Sequence, residues 1–155
     1  MGLREEDVVN QADNSLCYAG LLMAGANNTL DADKRKNMPE NMENGVLTAR
    51  EIASMNLSDL ELVVLSACQT GCGVLRDDGV FGLQRGFKKA GAHTLLMSLW
   101  SVDDKATMKM MTAFYEEIAS GVSRREAFHS AQNRLRTDPK FSSPRYWASF
   151  IMLDD

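Results

Sequence analysis

Histidine is scarce in this sequence, and no cysteine pattern that could hold a metal accompanies it. The 155 residues contain two histidines, His93 and His129, and three cysteines, Cys17, Cys68 and Cys72. None of the cysteines falls in a CxxC or other metal-ligand spacing, so no metal and no cofactor are expected. An odd cysteine count without a pairing framework fits a reducing, cytoplasmic setting, with Cys72 as a structural residue. A surplus of basic residues is lacking too. The net charge of −4 and the pI near 5.2 argue against nucleic acid or an anionic membrane as an electrostatic partner. No apolar run approaches the roughly 20 residues needed to span a bilayer. The N-terminus has no basic-then-apolar signal layout. Internal repeats are absent as well. At 45% hydrophobic the chain can bury a core, and a single domain is expected.

What is present is organised around one stretch, Leu62-Val63-Val64-Leu65-Ser66-Ala67-Cys68-Gln69-Thr70-Gly71-Cys72-Gly73. The unbroken apolar run suits a strand buried on both faces of a parallel sheet. Such a strand delivers the following residues to its carboxyl end, where open α/β sheets place their chemistry. Cys68 stands there, and a thiolate is an intrinsically strong nucleophile. Ser66, Ala67, Gly71 and Gly73 are small enough to let another backbone approach. Taken alone, a strand followed by a cysteine reads more simply as a buried structural thiol.

The surroundings change that reading. Ser66-Ala67-Cys68-Gln69-Thr70-Gly71 resembles the nucleophile motif of the CHAT-type cysteine peptidases, relatives of caspases, metacaspases and separases. The resemblance continues through Gly79-Val80-Phe81-Gly82-Leu83-Gln84-Arg85-Gly86-Phe87, Ser98-Leu99-Trp100-Ser101-Val102-Asp103-Asp104 and Tyr146-Trp147-Ala148-Ser149-Phe150. Upstream, Leu21 to Asn27 and Gly45 to Ile52 also look like family segments, so the likeness runs from about Gly20 to the end. It implies a caspase-like α/β layered sheet, mostly parallel, with flanking helices. It also implies Cys68 as nucleophile, and frequent association of such domains with TPR or other repeat segments. The family's catalytic histidine lies in a His-Gly pair before the Gly20 region, and this sequence has no such pair. The expectation is therefore a partial domain. Residues 1–15 form a polar tail, 16–155 the C-terminal part of the fold, and 27–44 a mobile loop. The general base is not present in this chain.

Local patterns place the remaining elements. Leu16 to Ala24 favours an extended piece. Thr48 and Glu51 have capping-box spacing, which predicts a helix to about Met55. Val80, Leu83, Phe87 and Ala90 recur at helical spacing before Gly91. Thr94 to Leu99 reads as a second buried strand. A helix then follows whose inward line is Met108, Met111, Tyr115 and Ile118, closed by Gly121. Ser123 and Glu126 open another, with Phe128, Ala131 and Leu135 inward and His129 and Gln132 on the solvated face. Tyr146 to Leu153 is the last strand.

The turn at Trp100, Ser101 and Asp103 is expected to leave the sheet on the Cys68 edge. The family resemblance implies that it lines the substrate pocket; either aspartate can cap the next helix, and the expected division is Asp104 as cap and Asp103 facing the cleft. His93 begins its strand at the far end and His129 faces water, so neither serves as base. Two function classes follow. One is a thiol peptidase acting on a peptide or protein substrate through Cys68. The other is a non-catalytic, peptidase-like interaction module working with repeat segments. An unpaired sheet edge would favour pairing with the absent N-terminal half or with another copy of the chain. A dinucleotide-binding reading is weak, because Gly71-Cys72-Gly73 lacks GxGxxG spacing.

Overall fold

The computed structural model describes residues 16, 19–36, 44–65 and 79–154, with the backbone alone at 32, 35 and 79–81. The polar tail at 1–15, the three cysteines and the turn at 74–78 lie outside the described residues. The described chain divides into two compact units. One comprises the residues up to Leu60 together with 79–92, and the other 61–65 together with 93–154.

In the first unit, β1 (Gly20–Leu22) pairs antiparallel with β2 (Val46–Thr48), in the register Gly20↔Thr48 and Leu22↔Val46. Between them the chain forms α1 (Ala26–Leu30) and α2 (Ala32–Arg35). Helices thus occupy the first part of the stretch expected as a loop across 27–44, of which 37–43 lie outside the described residues. Asp31 ends one helix and caps the next, its carboxylate accepting from the Asp33 and Lys34 amides. The Thr29 hydroxyl, donating to the Asn44 carbonyl, ties the excursion back to its return strand. Thr48 then starts α3 (Ala49–Ser54) with the expected capping box. The Glu51 amide donates to Thr48 Oγ1 at 3.2 Å and the Thr48 amide to Glu51 Oε2 at 2.7 Å.

α4 (Gly79–Lys89) packs on α3. Gly86 makes this possible, because a Cβ there would stand 2.7 Å from the Ala49 carbonyl oxygen. As expected, the helix ends at Gly91, whose φ of 98° is a left-handed conformation that glycine adopts without strain. Ala90 in turn accepts from the Leu57 amide at 2.7 Å.

The second unit is built on the order β3–β4–β5. β3 (Leu62–Leu65) runs parallel to β4 (Thr94–Ser98), from Leu62↔Thr94 to Leu65↔Met97. β5 (Phe150–Leu153) runs antiparallel to β4, from Ser98↔Phe150 to Leu95↔Leu153. The mixed α/β character is as expected, but "mostly parallel" is corrected, since only one of the three strand pairings described is parallel. An apolar run marks a strand without marking its direction. All five residues of β4 are buried, whereas in β3, an end strand of this order, only Val63 is. Leu62 and Val64 are half-buried against the core.

Helices α5 (Asp104–Ala119) and α6 (Arg124–Thr137) supply the rest of that core. Phe128, Ala131 and Leu135 point inward as expected, joined by Ala127. The inward line of α5 is Ala106, Met110, Ala113 and Phe114 rather than the Met108 line. Met108 is 66% exposed and Tyr115 48%, while Met111 and Ile118 pack at the edge of the core. Gln132 is likewise not on the solvated face. It donates to the Trp147 and Phe150 carbonyls at 3.2 Å each, tying α6 to the β5 end. Tyr146 and Trp147 belong not to a strand but to a short helix, α7 (Pro144–Trp147). Pro144 opens it, with its backbone angle already suited to a first helical turn. At the opposite end of the sheet, Asp154 accepts from the Thr94 hydroxyl at 2.6 Å. That bond, with help from Arg125, holds the Asp154 carboxyl below the usual carboxylate range.

Candidate functional site

Parallel pairing sends β3 and β4 out of the sheet at the same end, because Leu65 and Met97 are partners. The segment Ser66-Ala67-Cys68 follows the first strand and Leu99 to Asp103 the second. Cys68 itself lies outside the described residues. The β4 side of this edge can be followed atom by atom.

Ser98, the last residue of β4, is 8% exposed, and its hydroxyl has no hydrogen-bond partner among the described residues. A buried, unpartnered hydroxyl is unfavourable by about 1–3 kcal/mol. It stands where β4 ends, one residue past the last paired position with β3. The sequence marks Ser98 only as the start of a family-like segment, and its burial is a finding of the structure.

The Leu99 amide donates to the Ser149 carbonyl at 2.8 Å and anchors the start of the turn. Trp100 is 44% exposed, and its indole N–H donates to the Arg145 carbonyl at 3.0 Å. This bond fixes one edge of the ring and leaves a flat apolar face open to solvent. Ser101 is exposed, while Val102 is buried with the core and pins the far side of the turn.

Asp103 is the N-cap of α5, which corrects the assignment of that role to Asp104. Its Oδ1 accepts from the Lys105 amide at 3.0 Å and the Ala106 amide at 3.1 Å. The backbone of Asp103 is not helical, whereas Asp104 is the first helical residue. Only the former can fold its carboxylate back over the open amides. Asp104 contributes charge in the first turn, where the helix dipole favours a carboxylate. Asp103→Ala is expected to cost about 1 kcal/mol in urea unfolding, and Asp104→Ala less than about 0.5 kcal/mol. Equal losses would remove the distinction between them.

The two histidines lie where the sequence put them. Both are exposed. His93 precedes β4, five residues before Ser98, which is roughly 16 Å of extended chain. His129 stands on α6 beside Phe128, with ring centroids 5.7 Å apart. Among the described residues no group of three or more histidines, cysteines or carboxylates is placed to hold a metal ion. Among the same residues no helix is long and apolar enough to cross a membrane.

Comparison with known proteins addresses the family directly. The family model described as "CHAT domain" matches residues 9–155. Tetratricopeptide repeat protein 28 of mouse and of human are each 33% identical to the chain over 108 residues. That match covers 70% of this chain but 4% of either relative, so the chain corresponds to a small part of a much longer protein in each case. No solved structure matches the chain. With nearly all of its residues matched in order by one family model, the chain belongs to the CHAT domain family.

Proposed function

We propose that this domain carries the nucleophile side of a caspase-like thiol peptidase, with Cys68 attacking the scissile carbonyl of a peptide or protein substrate. The observation that carries the reading is the parallel β3–β4 pair ending at Leu65↔Met97. A cysteine three residues past the first strand and a tryptophan two residues past the second fit a peptide-binding site at this sheet edge. In the reaction the Cys68 thiolate adds to the carbonyl carbon, and the Cys68 amide helps hold the oxyanion. The C–N bond then breaks, the amine leaves with a proton, and water hydrolyses the acyl-enzyme. Trp100 and Ser101 border the substrate. Asp103 sets where the turn ends through its Oδ1 cap, and its exposed carboxylate still borders the substrate side of the turn.

The proton of the thiol needs an acceptor, and His93 and His129 are poorly placed for that role. In this reading the base is supplied by a partner polypeptide or by another copy of the chain. The placement of these histidines also favours a second reading, a peptidase-like interaction module that works with repeat segments. The likeness to tetratricopeptide repeat proteins agrees with that partnership. Brief alkylation with iodoacetamide, mapped by mass spectrometry, tests the nucleophile. Cys68 is expected to react ahead of Cys17 and Cys72. Equal or slower labelling of Cys68 would leave the interaction module as the better reading.

A further inference from the structure

The groove beside Met108 belongs to neither reading of the Cys68 edge, and it has a chemistry of its own. It has a volume of about 540 Å³ and lies along the outer side of α5, bounded by Arg134 of α6 and by Lys140 and Phe141. Its floor and wall are apolar: Ala113, Phe141 and the largely exposed Met108. Methionine's unbranched, polarisable side chain adapts to different apolar partners, which suits it to a binding surface.

The rim is cationic, in a protein whose net charge is −4. Four cations, Lys105, Lys109, Arg134 and Lys140, line the groove with one carboxylate, Glu116. The nearby carboxylates are already engaged. Asp138 pairs with Lys109, which with help from Lys140 holds its carboxyl below the ordinary range. Glu116 and Glu117 pair with Arg134 at 2.9 and 2.6 Å. Lys105 and Lys140 have no ion-pair partner among the described residues. The Lys140 ammonium lies 5.4 Å from the Phe141 ring centroid instead.

We propose that this groove docks an acidic amphipathic helix of a partner protein, with apolar side chains against Met108 and Phe141 and carboxylates at Lys105 and Lys140. Charge complementarity selects the occupant. A nucleic acid would meet an apolar wall in place of a continuous cationic track, and a basic helix would meet Lys105 and Lys140. An exposed apolar strip bordered by lysines unpaired among the described residues fits a helix bearing apolar residues at i, i+3 and i+7 with glutamates beside them. The groove lies on α5 and α6, so docking there does not depend on Cys68 chemistry.

Fluorescence anisotropy with the full 155-residue chain provides the test. The probe is a labelled synthetic helix of about 16 residues, with leucines on one face and glutamates flanking them. A control helix carries lysine at every glutamate position. The acidic helix is expected to bind and to weaken as salt rises. Lys105→Glu with Lys140→Glu should cost it at least about tenfold in affinity and transfer preference to the basic helix. Lys105→Glu alone serves if the double variant unfolds, and thermal unfolding checks both. Equal binding of the two helices, no binding of the acidic one, or unchanged affinity in the charge-reversed variants would overturn the proposal. Concentration-dependent self-association lost in Met108→Glu would also overturn it, by assigning the face to a second copy of the chain.

Discussion

Phe114→Ala is expected to destabilise the second unit by about 3–5 kcal/mol, a large part of the total stability of a domain this size. Phe114 is fully buried, in one cluster with Met110, Ala127, Leu135 and Phe150. It therefore joins the inward side of α5 to α6 and to the β5 strand. Removing the ring leaves a cavity among side chains that come from three different elements, and no single one can move to fill it. Met108→Ala is the matched comparison on the same helix. It removes a side chain that is mostly in water and should change stability by less than about 0.5 kcal/mol. Urea unfolding followed by tryptophan fluorescence reads this unit directly, because Trp100 and Trp147 both belong to it. Similar losses in the two variants would mean that the inward line of α5 has been misassigned.

That pair of residues also shows where the sequence was readable and where it was not. Features that depend on a few neighbouring residues came through. The Thr48–Glu51 capping box formed, Gly91 and Gly121 took left-handed angles, and Ser123 opened α6. Choosing the face of α5 required weighing large side chains against small ones. Ala106 and Ala113 carry little hydrophobic weight in a sequence, yet they occupy buried positions because a close helix contact needs small residues. Met108 and Tyr115 gave the stronger pattern and proved to be the outer face. Asp103 and Asp104 could not be separated by composition, since the cap is decided by which residue keeps a non-helical backbone.

Longer-range features were less legible still. The direction of β5 and the tie from Gln132 to Phe150 depend on partners 18 or more residues away. The helices at 26–30 and 32–35 depend in part on the Thr29–Asn44 bond, which no local pattern announces. Of the candidate site, the common exit of β3 and β4 was readable. The unpartnered Ser98 hydroxyl was not anticipated. Burial of a polar group is a property of the folded neighbourhood rather than of the residue type.

At pH 7 the isolated chain is expected to turn over peptides slowly or not at all. An unassisted cysteine is only a few per cent thiolate there. A positioned general base typically supplies about 10²–10⁴-fold, and that factor is the one at stake. His93 stands at the end of β4 opposite to the one where the Cys68 segment leaves β3, and His129 is an exposed residue of α6. Residual activity should therefore follow the thiolate fraction, rising with pH toward the ordinary thiol value near 8.5, with no step near 6.5 from an imidazole. A fluorogenic peptide library assayed from pH 6 to 9, with Cys68→Ala, His93→Ala and His129→Ala beside the unaltered chain, reads all of this. Loss of whatever activity remains in Cys68→Ala alone fits a nucleophile whose base comes from elsewhere. Robust turnover at pH 7 that disappears in Cys68→Ala and also in one histidine variant would place the base inside these residues. The proposed division of the site would then be wrong.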